Sequence, residues 1–168
     1  TLFRSIILCA EPNNRVQHLI RTSLSEDTPI DEVLDHVKYA LIYEEGKKAL
    51  GQGDNSLGDL LPGIIARAGF EDIEVRLSDK AIAMYPPYDR KDQVATLRQW
   101  AAGNHISATG TDERDYFQAM GPESLAFYEA YHNRYINQLD KLLDALENEQ
   151  YHAGGGALMY VVSGIKTS

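Results

Sequence analysis

The sequence predicts an α/β fold: a partial sheet of about three strands, with helices making up most of the mass. Three observations carry this. From Gly58 to Asp89 the chain reads helix, helix stop, strand and rigid exit without a spare residue; Phe3 to Ala10 is an apolar run of strand length; and Gly154-Gly155-Gly156 leads into the apolar ALMYVVSGIK. Between the last two strands lies a long excursion, residues 89–152, whose apolar residues recur at helical spacing.

Taken in order, Phe3–Ala10 is interrupted only by Arg4 and Ser5 and suits an interior strand covered on both faces. Glu11-Pro12-Asn13-Asn14 ends it with turn chemistry. Arg15–Ser23 reads as a short helix with Val16, Leu19 and Ile20 inward. Thr28-Pro29-Ile30-Asp31 then starts a longer helix: Thr28 can cap it, and Asp31 and Glu32 put negative charge at its positive end. That helix turns Val33, Leu34, Val37, Leu41 and Leu50 inward and closes at Gly51.

The glycines from Gly51 to Gly58 invite comparison with a phosphate loop, but such a loop leaves a strand and opens a helix, whereas these follow a helix. The segment reads as a helix–helix connector. In the next helix Pro62 occupies the first turn, and Leu60, Leu61, Ile64, Ile65 and Ala68 form an apolar stripe. Gly69 stops it, because glycine enters the left-handed region freely, and Phe70 folds back on the helix it follows. The period then changes to two: Ile73, Val75 and Leu77 alternate with Glu74 and Arg76 until Pro86-Pro87 ends the run.

The excursion offers helices over Asp92–Ala102, Asp112–Met120 and Pro122–Glu149. The longest carries Leu125, Tyr128, Tyr131 or His132, Tyr135, Leu139, Leu142, Leu143 and Leu146 on one face. Such a tyrosine stripe is core or interface more often than a cofactor box. The glycine triplet before the last strand lets backbone pass close to something.

Composition sets outer limits. At 168 residues the chain fits one domain that buries roughly 65–70% of its unfolded surface. A net charge of −9 repels phosphate backbones and anionic membranes, so neither nucleic acid nor a membrane surface is an expected partner. One cysteine, Cys9, sits inside an apolar run; it reads as a small core residue, and a reducing, cytoplasmic setting fits. No run reaches the roughly 20 apolar residues of a membrane helix, and no signal peptide is visible. The chain begins at Thr1 with a strand almost at once, as expected of a trimmed chain.

Several chemistries have no anchor. The five histidines show no H-x-x-x-H pairing for zinc. There is neither a G-x-S-x-G elbow nor a Walker-type lysine loop. The acidic pairs Glu26-Asp27 and Glu44-Glu45 read as solvated charge.

The helix, the Ala68-Gly69-Phe70 cap, the strand after it and the final GGGALMYVVSGIK resemble the last third of a class I S-adenosylmethionine-dependent methyltransferase. SIILCAEPNN resembles that family's fifth strand and the loop after it. The resemblance implies a partial Rossmann-like methyltransferase sheet whose last two strands are antiparallel, with Ala157–Ser163 returning between two parallel strands. The family's glycine-rich cofactor loop and ribose-binding acidic residue are not in these residues. The chain is therefore expected to be a C-terminal, substrate-side half, inactive alone, with S-adenosylmethionine held mainly by residues outside it. The helical insertion would cover the substrate side, form a lid, or pack as a hairpin on the sheet or on a second copy.

In an open α/β sheet ligands gather outside the carboxyl ends of parallel strands. Here that edge would collect Glu11–Asn14, Ser78–Lys80 and Gly154–Gly156. The expected substrate-binding residues are Glu11, Asn13, Asn14, Tyr43, Asp79, Lys80 and Tyr88, with Tyr85 beside them; the other reading of Asp79-Lys80 is a surface ion pair. The substrate would be a small-molecule acceptor. Methyl transfer asks little of side chains beyond alignment with the sulfonium methyl, so no catalytic residue is assigned. The alternative is a non-catalytic α/β binding or dimerisation module. A homodimer is expected on either reading, through the open edge of Ser5–Ala10 or through the long helices.

Overall fold

The computed structural model of the chain describes residues 4–17, 19–78, 81–102, 112–156 and 158–167. Its elements are β1 (Arg4–Pro12), α1 (Asn14–Gln17), α2 (Ile30–Ala49), α3 (Leu61–Arg67), β2 (Glu71–Leu77), α4 (Lys91–Ala102), α5 (Glu113–Ala119), α6 (Pro122–Glu147) and β3 (Met159–Thr167), with short 3₁₀ turns at Ser23–Ser25 and Gly58–Leu60.

The three strands form one open sheet in the order β1-β3-β2. Both outer strands run antiparallel to β3, so β1 and β2 are parallel to each other. Cys9, Val162 and Val75 stand in one row across the sheet. The register of β2 shifts between Glu71 and Glu74, where Asp72 takes a φ of 50°.

The cap at Gly69 is built as its sequence dictates. Gly69 has a φ of 83°, its N–H bonds Ala66 O at 2.9 Å, and Phe70 N–H reaches back to Ile65 O at 3.2 Å. That is a Schellman closure, with Phe70 packed beside Ile65. Through it α3 lies on one face of the sheet, where Leu61 and Ile65 meet Val162, with Ile7, Cys9, Ile73 and Tyr160 around them. Pro62 stands in the first turn, as expected.

Coverage of the sheet departs from expectation. β1 is an edge strand rather than an interior one, and Ile6 and Leu8 are 77% and 70% exposed on the face away from α3. On the covered face Val75 and Leu77 are also exposed, because α3 is only seven residues long and reaches no further than Ile73. Leu60 is exposed in the turn ahead of α3.

The first helix is a single turn. Val16, Leu19 and Ile20 are exposed, and the expected helix to Ser23 is replaced by a bridge from Thr22 to Ala153 and a 3₁₀ turn capped by Thr22. Backbone pairing with a distant segment overrides local helix propensity there. Thr28 makes no cap to α2: the N-cap is Pro29, without a side-chain bond.

α2 spans the expected length, but it buries a different face. Leu34, Leu41 and Leu50 are exposed, while Tyr39, Ala40, Glu44 and Gly46 are buried. The reason is α5, whose Tyr116 and Phe117 have no exposed surface and pack with Tyr39, Tyr128 and Tyr131 into an aromatic core. Gly46 lets the two helices touch, since a Cβ there would lie 2.3 Å from Tyr116 O. The excursion thus docks on α2 rather than on the sheet. Tyr128 and Tyr131 are core residues, as read; Leu143 is exposed, and the side chains of Tyr135 and Leu139 lie outside the described residues. At its far end α6 turns Ala145 into a second cluster with Met84, Tyr88 and Tyr151. Cys9 is half-buried beneath α3, as its apolar run suggests.

Candidate functional site

The carboxyl ends of β1 and β2 meet the start of β3 at one edge. Asn13 N–H bonds Leu158 O and Ser78 N–H bonds Met159 O, both at 2.9 Å. Beyond them the same three chain segments pair again: Thr22 and Met84 flank Ala153 on either side, repeating the β1-β3-β2 order. Met84 and Ala153 exchange two backbone bonds of 2.9 Å, and Ser23 N–H bonds His152 O at 2.9 Å. Glycine permits this close return. Gly155, at a φ of 67°, lies so near the Ile82 backbone that a Cβ would stand 2.1 Å from Ile82 O.

Gln93 fixes the same segment through its side chain. It is 1% exposed, and its amide donates to Ala83 O at 3.0 Å and Tyr85 O at 3.2 Å while its oxygen accepts from Arg90 N–H. Over this frame opens a depression of ≈ 460 Å³ lined by Arg21, Thr22, Ser23, Glu26, Met84, Tyr85, His152, Ala153 and Gly154.

A second polar cluster lies where β1 runs into α1. Asn13 is buried and accepts the Arg15 N–H on Oδ1 at 3.2 Å. Asn14 Nδ2 donates to Glu44 Oε1 at 3.5 Å, and Arg15 pairs with Glu45. One turn beyond Glu44, Lys48 pairs with Asp54 at 3.5 Å, and Asp54 accepts the Ser56 N–H at 2.9 Å. Glu44 and Ser56 are 6% and 5% exposed, and Glu44 Oε2 and Ser56 Oγ find no hydrogen-bond partner among the described residues. Buried polar atoms of that kind are costly unless something satisfies them.

Of the residues read as substrate-binding, Asn13 and Asn14 belong to this second cluster, and half-buried Glu11 stands at the end of β1 in register with Tyr160. Tyr43 is not on the edge. It packs against Tyr116, ring centroids 4.9 Å apart, with Lys47 over its ring. Tyr88 is buried, and its hydroxyl donates to Tyr151 O at 2.8 Å. Burial, and then Tyr88 beside it, raises the Tyr151 phenol above its usual range. Asp79 and Lys80 lie outside the described residues. Tyr85 does line the depression.

Sequence reasoning passed over Arg21, His152, Ser56 and Gln93, and it read Glu44 as solvated although it is buried. Helical spacing held the signal for Glu44, which lies one turn from buried Ala40. No group of histidine, cysteine and acidic residues among the described residues is arranged to hold a metal ion. No helix among them is long and apolar enough to cross a membrane. No known family model matches the chain, and no curated protein matches it.

Proposed function

We propose that the chain is the C-terminal, substrate-side half of a class I S-adenosylmethionine-dependent methyltransferase, acting on a small-molecule acceptor. The observation that supports this most is the strand order β1-β3-β2, with β3 antiparallel between two parallel strands. It is the arrangement implied when SIILCAEPNN resembles the family's fifth strand and the capped α3 leads into the sixth. On this reading the sheet is Rossmann-like and the methyl donor is held mainly by residues outside the chain. The acceptor rests at the edge that carries Asn13, Asn14, Tyr85 and the Gly154–Gly156 segment.

The test is calorimetric titration of S-adenosylmethionine and S-adenosylhomocysteine into two folded samples, this chain and the chain extended by its upstream coding sequence. No binding by the first and micromolar binding by the second are expected. An upstream sequence without a strand followed by a glycine-rich loop, or an extended chain that binds neither compound, overturns the proposal.

A second reading is favoured by the exposure of Ile6 and Leu8 on an open edge strand. Unpaired N–H and C=O groups beside apolar side chains are a template for another strand. In that reading the chain is a dimerisation module in which β1 pairs antiparallel with β1 of a second copy. Cofactor binding by the extended chain decides between the two.

A further inference from the structure

We propose that the depression between Arg21, Tyr85 and His152 binds the carboxylate of a small aromatic acid. At ≈ 460 Å³ it has room for a single-ring ligand, within the usual range of ligand sites. Its floor is fixed, because the three segments that form it are joined by backbone bonds between Ser23 and His152 and between Met84 and Ala153. Gln93 holds the Tyr85 segment through two hydrogen bonds.

The side chains supply hydrogen-bond donors for one anion. Among the described residues Arg21 spends a single N–H, from Nη2 to Glu26 O at 3.0 Å, which tethers the guanidinium and leaves its other donors to a ligand. Ser23 Oγ accepts the His152 N–H at 3.1 Å, so its own hydrogen is available to give. The His152 imidazole is a third donor, and it is exposed. A planar carboxylate matches a guanidinium in two parallel bonds, which a point charge would not reward.

The rest of the lining suits a ring. Tyr85 is 45% exposed and offers an aromatic wall, and the buried Met84 also lines the depression. Among the described lining residues Glu26 alone is acidic; its charge opposes that of Arg21 and disfavours a polyanion more than a monoanion. If the ligand is the methyl acceptor, that role rests on the methyltransferase reading; the binding itself does not.

The test uses benzoate, benzamide and cyclohexanecarboxylate, titrated into the ¹⁵N-labelled chain and followed by amide shifts. Benzoate is expected to give saturable shifts at residues 21–26, 84–85 and 152–154. Benzamide, which has the shape without the charge, binds about tenfold more weakly, as does cyclohexanecarboxylate, which has the charge without the flat ring. Arg21→Gln weakens benzoate by about tenfold, and Glu26→Gln strengthens it. No saturable benzoate shift, or equal binding of benzoate and benzamide by the native chain, overturns the proposal without any variant. Because S-adenosylmethionine takes no part, failure here leaves the methyltransferase test intact, and the reverse holds.

Discussion

Gly155 lies in van der Waals contact with the Ile82 backbone, on the left-handed side of φ, and no other residue fits there. Adding a methyl group at Gly155 must push Ile82 away from a segment already pinned through the Met84–Ala153 pair. Gly155→Ala should therefore lower the unfolding free energy by about 2 kcal/mol or more, combining overpacking with left-handed strain. Gly154→Ala, where a Cβ meets nothing within 4 Å and the backbone is not left-handed, should change little. Urea unfolding of the two variants side by side is the check, and similar midpoints would refute the close-approach account.

These two glycines also show what the sequence reveals and what it withholds. A close approach near the triplet was legible because three glycines ahead of a strand have few other uses; which one makes contact depends on Ile82, some seventy residues earlier. The Gly69–Phe70 closure was legible in full, since a Schellman cap is local. The buried face of α2 was not. Val33, Leu34, Val37, Leu41 and Leu50 form as good an apolar stripe as the one actually buried, and the choice is made by Tyr116 and Phe117 of α5. Glu44 was hidden for the same reason: a glutamate beside a glutamate looks solvated until Asn14, thirty positions away, arrives next to it. Coverage of the sheet was hidden too: α3 covers only the Ile7 and Cys9 face of β1 and stops short of Val75 and Leu77, and no residue of either strand encodes that.

The Glu44 carboxylate yields a prediction of its own. One oxygen accepts from Asn14 and the other is buried with no partner among the described residues. Replacing the charge by a neutral amide of the same shape, Glu44→Gln, should raise stability by about 1 kcal/mol, because the desolvation cost of the carboxylate disappears. Thermal unfolding gives the result. A lower transition temperature for Glu44→Gln would mean that the carboxylate is satisfied by something beyond these partners.

His36 makes stability depend on pH. Its Nδ1 lies 2.7 Å from the Tyr131 hydroxyl at the α2–α6 contact, and burial holds its pKa below the ordinary value of 6.5. As pH falls through 6.5 the unfolded chain takes up the proton first, so the unfolded state binds more protons and the fold loses stability. The contribution is complete above pH 6.5 and is lost between there and the lower folded-state value. Urea midpoints should therefore drop from pH 7 to pH 5, and His36→Gln should flatten part of that slope. An identical slope in the variant would assign the dependence to groups other than His36.

The open edge of β1 leads to the last prediction. Antiparallel pairing of β1 with its copy, centred on Ile7, would set Ile6 of each chain opposite Leu8 of the other, on the face where both are now exposed. Apolar cross-strand pairs favour that register, and a one-residue slip would set each of them opposite a residue of the other face. Opposing it is charge: each chain carries −9, so two copies repel at long range. Association should therefore strengthen with added salt, which screens the repulsion while leaving the strand contacts intact. Sedimentation velocity at about 100 µM chain, a concentration that populates a micromolar dimer, is expected to give a dimer that persists in high salt. Ile6→Lys combined with Leu8→Lys should give a folded monomer whose unfolding stays cooperative and no longer depends on protein concentration, since neither side chain contributes to the cluster under α3. A native chain that stays monomeric at that concentration and in salt would remove both the pairing and the dimerisation reading built on it.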